Sequence, residues 1–145
     1  MAPEKEIVIY VEVKPDNFAM KGDIANQYKT ALRQVMAAEA IKNLKDPLVT
    51  KLPPGTKTGL SMSGTLEIKK ADNGTWAEAS LQFNNWPQDS LFVMGTAKTA
   101  PIKDDDTEGL AKDLAKGVVK DFITKRLMPK VNERVEKEKK EQGKK

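Results

Sequence analysis

The chain has 145 residues, of which 39% are hydrophobic and 32% are charged, and it contains neither cysteine nor histidine. Those two absences exclude disulfides, thiol nucleophiles, cysteine-based metal sites and any mechanism that uses an imidazole. The formal net charge of +4 belongs mainly to residues 130–145, which hold seven Lys or Arg against four Glu, so the rest of the chain is nearly neutral.

The first predicted element is a strand over residues 6–14, where β-branched residues alternate along one face. Pro15 ends this strand. A helix is then predicted from Asp23, as its N-cap, to about residue 45, with Pro47 preventing its continuation. The apolar stripe predicted to be buried is Ile24, Tyr28, Leu32 or alternatively Ala31, Val35, Ala38, Ile41 and Leu44.

Residues 48–57 contain Pro53, Pro54 and Gly55 and are predicted to be a loop. Three strands follow, over residues 60–70, 76–83 and 91–99, each with apolar and polar residues in alternation. Residues 72–74, Asp-Asn-Gly, form a strong hairpin signal between the first two. This pattern predicts an antiparallel meander with one buried face, on which Leu66, Leu81 and Val93 lie.

A second helix is predicted to begin near Thr107, with Leu110, Leu114, Val118 and Phe122 as its buried stripe. The acidic residues 104–108 precede or begin that helix, where negative charge is favoured, so we interpret them as capping residues rather than as a cation site. Pro129 predicts a break or kink.

The predicted fold is therefore α+β with the order β-α-β-β-β-α. It comprises a single four-stranded antiparallel sheet, with a mixed sheet as the alternative, two helices packed on one face and a charged C-terminal tail. Residues 1–129 are predicted to form one domain, and residues 130–145 a charged helical extension or a disordered tail.

Seven residues are candidate partner contacts. Trp76, Trp86 and Phe92 are aromatics in or beside strands, where packing is the usual role but exposed rings can anchor an interface. Lys69 and Lys70 border the hairpin, where lysines commonly protect sheet edges. Lys125 and Arg126 begin the basic region that continues through Lys130 and Arg134, although interleaved glutamates favour a self-paired, solvated segment.

The order of elements is similar to that of small envelope lipoproteins of the lipopolysaccharide-assembly type, whose sheet is covered by two helices. That resemblance implies the same two-layer fold. The helix, three strands and final helix also resemble a double-stranded-RNA-binding domain, a family that has a basic cluster at the start of its last helix. Here that position holds the acidic residues 104–108, which would repel phosphate.

The sequence offers no catalytic constellation and predicts no catalytic residue, cofactor or metal ligand. We expect a soluble, non-enzymatic binding or assembly module of a bacterial envelope type, with a protein partner engaged through a sheet face or a sheet edge. The alternative is a nucleic-acid-binding protein that uses sheet aromatics and the basic tail. No transmembrane segment is predicted, homo-oligomerisation stays open, and the compartment is either the cytoplasm or, after removal of a signal, the periplasm.

Overall fold

The computed structural model describes residues 7–142, and only the backbone of Gln142. Within that range the chain forms a mixed sheet of six strands with helices packed on one face. The strands are β1 (Ile9–Glu12), β2 (Phe18–Lys21), β3 (Leu48–Val49), β4 (Gly59–Ala71), β5 (Gly74–Trp86) and β6 (Ser90–Lys98). The helices are α1 (Asp23–Gln27), α2 (Lys29–Asn43), α3 (Thr107–Phe122) and α4 (Met128–Gln142), and a π-helical turn, Ile123–Leu127, joins α3 to α4.

The α+β class is as predicted, but the sheet is larger than the predicted four strands. The strand order is β3-β1-β4-β5-β6, with β2 also pairing with β4. The pairs β1–β3, β1–β4 and β2–β4 are parallel, whereas β4, β5 and β6 form the antiparallel meander. The sheet is therefore mixed, whereas the sequence favoured an antiparallel sheet and gave a mixed one only as the alternative.

The two strands that the sequence analysis missed, β2 and β3, are short. A 3-10 turn at Pro15–Asn17 ends the first strand as predicted, but the chain then resumes beside β4 with Phe18 fully buried. β3 has two residues in the segment predicted to be a loop. Strands this short cannot display the alternation on which a sequence-based prediction depends. Residue 6, the predicted start of the first strand, lies outside the described residues.

The first predicted helix is divided at Tyr28, whose φ of −111° and ψ of 25° are not helical. Asp23 is the first residue of α1 rather than its N-cap, a position that Gly22 occupies with a φ of +83°. The predicted stripe is also partly wrong, because Ala38 and Ile41 are exposed. The buried side chains of α2 are Leu32, Met36, Ala37 and Ala40.

The predicted meander and its single buried face are confirmed. Leu66, Leu81 and Val93 are all buried. Helix α3 packs on β5 and β6, α2 packs on β2, and the two helices contact each other. The β4–β5 hairpin turns at residues 72–73, and Gly74 follows with a φ of +126°. A side chain at Gly74 would meet the backbone of Ile102 at 2.8 Å, so this position requires glycine.

Helix α3 begins at Thr107, as predicted, and its predicted stripe is buried. The Asp106 carboxylate accepts a hydrogen bond from the Gly109 backbone N–H at 2.9 Å, which is the expected N-capping interaction.

Pro129 does not end the helical segment. The π-helical turn immediately before it widens the helix where the missing proline N–H would interrupt regular hydrogen bonding. Helix α4 then continues, and Val131 is fully buried. The proposed division of the chain after residue 129 stays a prediction, and residues 143–145 of the predicted tail lie outside the described residues.

Candidate functional site

β6 is a long strand whose outer edge is not paired with any other described strand. Among residues 7–142, β6 pairs only with β5. The backbone groups of an antiparallel strand point alternately to its two sides, and the Thr99 N–H donates to the Ala77 carbonyl at 3.0 Å, which fixes the phase of that alternation. The residues whose backbone groups point away from β5 are therefore Met94, Thr96 and Lys98.

This edge also carries exposed apolar side chains. Leu91 is 54% exposed and Met94 is 50% exposed. Natural sheets usually protect their edges with proline, inward charges, very short strands or bulges. β6 has no proline, its single charge is Lys98 at the end, and the bulge opposite Phe83 and Asn84 affects only its first residues. The segment from Val93 to Lys98 is consequently a regular edge with little protection.

A groove of about 420 Å³, the β6 groove, runs between this strand and the helical segment beside it. One side is formed by β6, and the other by the π-helical turn and the start of α4. Its lining residues are Leu91, Phe92, Val93, Met94, Lys125, Arg126, Pro129, Lys130 and Glu133. The helical side contributes three cations and one anion, so the groove combines an apolar strand with a positively charged helix.

The cations of the β6 groove lie in solvent. Lys125, Arg126 and Lys130 are all exposed. Within residues 7–142, the one ion pair that any of them forms joins Lys125 Nζ to Asp121 Oδ2 at 3.9 Å, between two exposed side chains. Such a pair contributes little, so this lysine remains available to another anion.

Phe92 lies in the β6 groove, but its side chain is only partly exposed and is not free to insert into a partner. It packs against the core, and the Arg134 guanidinium lies 5.7 Å from its ring centroid in a cation–π contact. The Arg134 Nε also donates to Glu138 at 3.3 Å. Phe92 therefore helps to position α4 beside β6.

Trp86 packs within the protein. Its ring meets Tyr10 edge-on at 5.7 Å between centroids and covers Gly59, where a side chain would approach the indole to 3.0 Å. The pairing of Gly59 with Trp86 places this cluster on the face opposite the helices, at the far end of the sheet from the β4–β5 turn. Trp86 is thus a half-buried residue that covers the glycine of the neighbouring strand.

Lys69 forms an ion pair across the two central strands. Its Nζ lies 2.6 Å from Glu78 Oε2 and 3.9 Å from Glu67 Oε1. The hydrogen-bonding contact with Glu78 and the charge of that carboxylate raise the pKa of Lys69 above its usual range. The same contact lowers the pKa of Glu78, and the indole of Trp76, half-buried on the same face, acts in that direction too. Lys69 is therefore paired with Glu67 and Glu78 within the sheet.

The open face of the sheet, opposite the helices, has a shallow depression of about 650 Å³ around this ion pair. Its lining alternates hydroxyl groups with charges of both signs. The residues are Lys21, Thr65, Glu67, Lys69, Glu78, Ala79, Ser80, Thr96, Ala97 and Lys98. This mixed polar surface has no continuous basic path of the kind that nucleic-acid binding uses.

The structure brings together three of the seven candidate contacts, Phe92, Lys125 and Arg126, in the β6 groove. Lys69 and Trp76 lie on the open face, Trp86 lies at its far end, and Lys70 is exposed beside the β4–β5 turn. Leu91 and Met94 were not predicted as contacts. Their signal in the sequence was an apolar last strand without proline, but only the strand order shows that this strand is an edge.

Within residues 7–142, no three acidic side chains come together as a possible metal site. The acidic residues near α3 instead bond to backbone, since Asp104 accepts from the Asp106 N–H at 2.9 Å. No helix in this range is both long and apolar enough to cross a membrane.

Comparison with solved structures identifies a similar fold, whereas comparison of sequences does not. No family model matches the sequence, and no curated protein matches it. A proposed homolog of neuraminyllactose-binding hemagglutinin from Helicobacter pylori covers 94% of this chain and 92% of its own at 11% identity, with a TM-score of 0.53. The PelC dodecamer from Paraburkholderia phytofirmans covers 78% of this chain and 84% of its own at 11% identity, with a TM-score of 0.49. A minor lipoprotein from Acinetobacter baumannii covers 79% of this chain and 86% of its own at 10% identity, with a TM-score of 0.37. The Helicobacter structure shows a shared fold.

Proposed function

We propose that this protein is a non-enzymatic binding or assembly module that engages a protein partner by adding a strand to the outer edge of β6. The observation that carries the proposal is a nine-residue strand with exposed Leu91 and Met94, whose outer edge is not paired with any other described strand. An extended segment of a partner completes such an edge with main-chain hydrogen bonds, and its side chains then supply specificity.

The β6 groove favours strand addition rather than a contact through the open face of the sheet. A groove between an edge strand and a neighbouring helix can hold an extended chain on two sides. The open face presents a polar surface whose central charges, Lys69 and Glu78, already neutralise each other. We propose a bacterial envelope as the location of the protein, because its order of elements resembles that of small envelope lipoproteins.

The proposal can be tested by site-specific photocrosslinking in the cells that naturally express the protein. A photoreactive residue at Met94 is expected to capture a partner. The same residue at Ile41, which is 45% exposed on α2, serves as the control for a surface position of similar exposure. Equal capture from both positions, or no capture from Met94, would contradict the proposal.

A backbone variant makes this test specific for strand addition. Thr96→Pro removes an N–H that points away from β5, so the sheet itself loses no hydrogen bond. The matched variant Thr96→Val keeps the N–H and the β-branched shape. Crosslinking at Met94 should disappear in Thr96→Pro and persist in Thr96→Val, and persistence in both variants would exclude pairing along this edge.

A further inference from the structure

The occupant of the β6 groove can be specified more closely, in an inference that rests on the proposed function. We infer that the β6 groove binds an extended, acidic segment of a partner protein, whose alternate side chains contact the cationic helix while its backbone extends the sheet. Both the charge of the groove and its position beside the edge point to such a segment.

The charges of the β6 groove are confined to its helical side. Lys125, Arg126 and Lys130 line it together with one carboxylate, that of Glu133. A strand added to β6 would place every second side chain toward the helices. Acidic residues at those positions would meet the three cations, and charge complementarity of this kind favours the encounter and selects among partners.

The other side chains of the added strand would point toward the open face. At this edge that face begins with Met94, which is half exposed, and continues with the small polar Thr96. Apolar or β-branched residues suit those positions, because they pack against cross-strand neighbours on a pleated surface. The segment that fits is therefore one in which acidic and β-branched residues alternate.

The same charges disfavour a second copy of this chain as the occupant. Antiparallel pairing of two β6 edges would relate the copies by a two-fold axis perpendicular to the joined sheet. The helices of both copies would then lie on the same face, with the Lys125, Arg126 and Lys130 clusters on either side of the joint. Like charges brought together in this way oppose association.

The probe for this inference is an end-blocked peptide as long as β6 in which valine alternates with glutamate. Its partner probe alternates valine with lysine. Binding is measured by titration calorimetry at low and high salt, and the site is located by NMR-detected amide exchange at Met94, Thr96 and Lys98. We expect the glutamate peptide to bind, to protect these amides and to weaken with rising salt, and the lysine peptide to bind at least tenfold more weakly.

Two charge-reversal variants provide the matched comparison. Lys125→Glu combined with Lys130→Glu should weaken binding of the glutamate peptide by about tenfold, the sum of a few exposed ion pairs. Lys137→Glu combined with Lys140→Glu changes the same number of exposed charges farther along α4, outside the groove lining, and should change binding less than twofold.

The outcomes separate the inference from the proposed function. Equal binding of both peptides, with protection of the three amides, would overturn the acidic specificity and leave strand addition intact. Binding of the glutamate peptide without protection of these amides, or no binding of it, would also overturn the inference. Concentration-dependent dimerisation that Thr96→Pro abolishes would assign the edge to a second copy instead. The in-cell crosslinking from Met94 tests the proposed function separately.

Discussion

The strands that bound the sheet on its two sides are built in opposite ways. On one side they are the four-residue β2, whose Phe18 carbonyl accepts a hydrogen bond from Arg33 Nε at 2.7 Å, and the two-residue β3. The β3 edge is a two-residue strand, preceded by Pro47 and followed by Pro53 and Pro54, and Leu48 is buried within it. The β6 edge is nine residues long, lacks proline and exposes Leu91 and Met94. Shortness and proline are the usual means of keeping a sheet edge from pairing with another chain. Because one edge uses both means and the other uses neither, the open edge is the part of the fold best suited to a partner.

The largest predicted contrast is between matched leucine truncations at the two edges. Leu48→Ala should lower the free energy of unfolding by about 2–4 kcal/mol, because it leaves a cavity under β3. Leu91→Ala should change it by less than about 0.5 kcal/mol, because that side chain is mostly in solvent. Urea unfolding of both variants checks the contrast, and equal losses would show that the β6 edge is covered.

A second prediction compares the two faces of β6. A side chain at Gly95 would approach the Phe122 ring to 3.1 Å, so Gly95→Val should destabilise the protein by about 1–3 kcal/mol through overpacking. Thr96→Val, on the opposite face, should be neutral within about 0.5 kcal/mol. Thermal unfolding measures both changes. A neutral Gly95→Val would mean that α3 does not rest on β6 as closely as described.

A third prediction converts the open edge into a protected one. Met94→Glu introduces a charge at the centre of β6, a common natural means of preventing edge pairing, and its carboxylate also repels an acidic segment. The variant should keep its stability within about 0.5 kcal/mol and bind an added strand more weakly. Unfolding and peptide titration should be measured on the same preparation. Unchanged binding would locate the contact away from β6.

The smallest predicted effect concerns Lys69 and Glu78, which lie between the two edges. The lowered pKa of Glu78 gives a contribution to stability that is present above its ordinary pKa and is lost as pH falls through the lowered value. The raised pKa of Lys69 gives a contribution present below its ordinary pKa and lost as pH rises through the raised value.

Glu78→Gln removes one partner of this ion pair. The difference in melting temperature between wild type and Glu78→Gln should therefore be largest near neutral pH, and should diminish at both extremes and in high salt. A difference independent of pH would mean that the variant acts through packing alone.

The sequence predicted the parts of the fold that long periodic segments specify. The alternation in β4, β5 and β6 and the stripe from Leu110 to Phe122 each had enough repeats to define a buried face. In the alanine-rich α2, several helical faces carry small apolar residues, so the predicted stripe included Ile41 and omitted Met36. The four residues of β2 are too few for a reliable period.

The candidate site was predictable only in part, because an edge is a property of strand order. Lys125 and Arg126 were identified by their charge and Phe92 by its ring. Nothing in the amino-acid sequence indicates that the strand containing Leu91 and Met94 lies at the edge of the sheet. The same alternation of residues would suit a central strand with one solvated face. The order β3-β1-β4-β5-β6 supplies that information.

The state of the β6 backbone is most directly measured by amide hydrogen exchange, residue by residue, in the protein with and without the valine–glutamate peptide. The amides of Met94, Thr96 and Lys98 should exchange much faster than those of Val93, Gly95 and Ala97 in the free protein, and should become protected when the peptide binds. Equal protection of both sets in the free protein, or no gain on peptide binding, would contradict the assignment of β6 as an open binding edge.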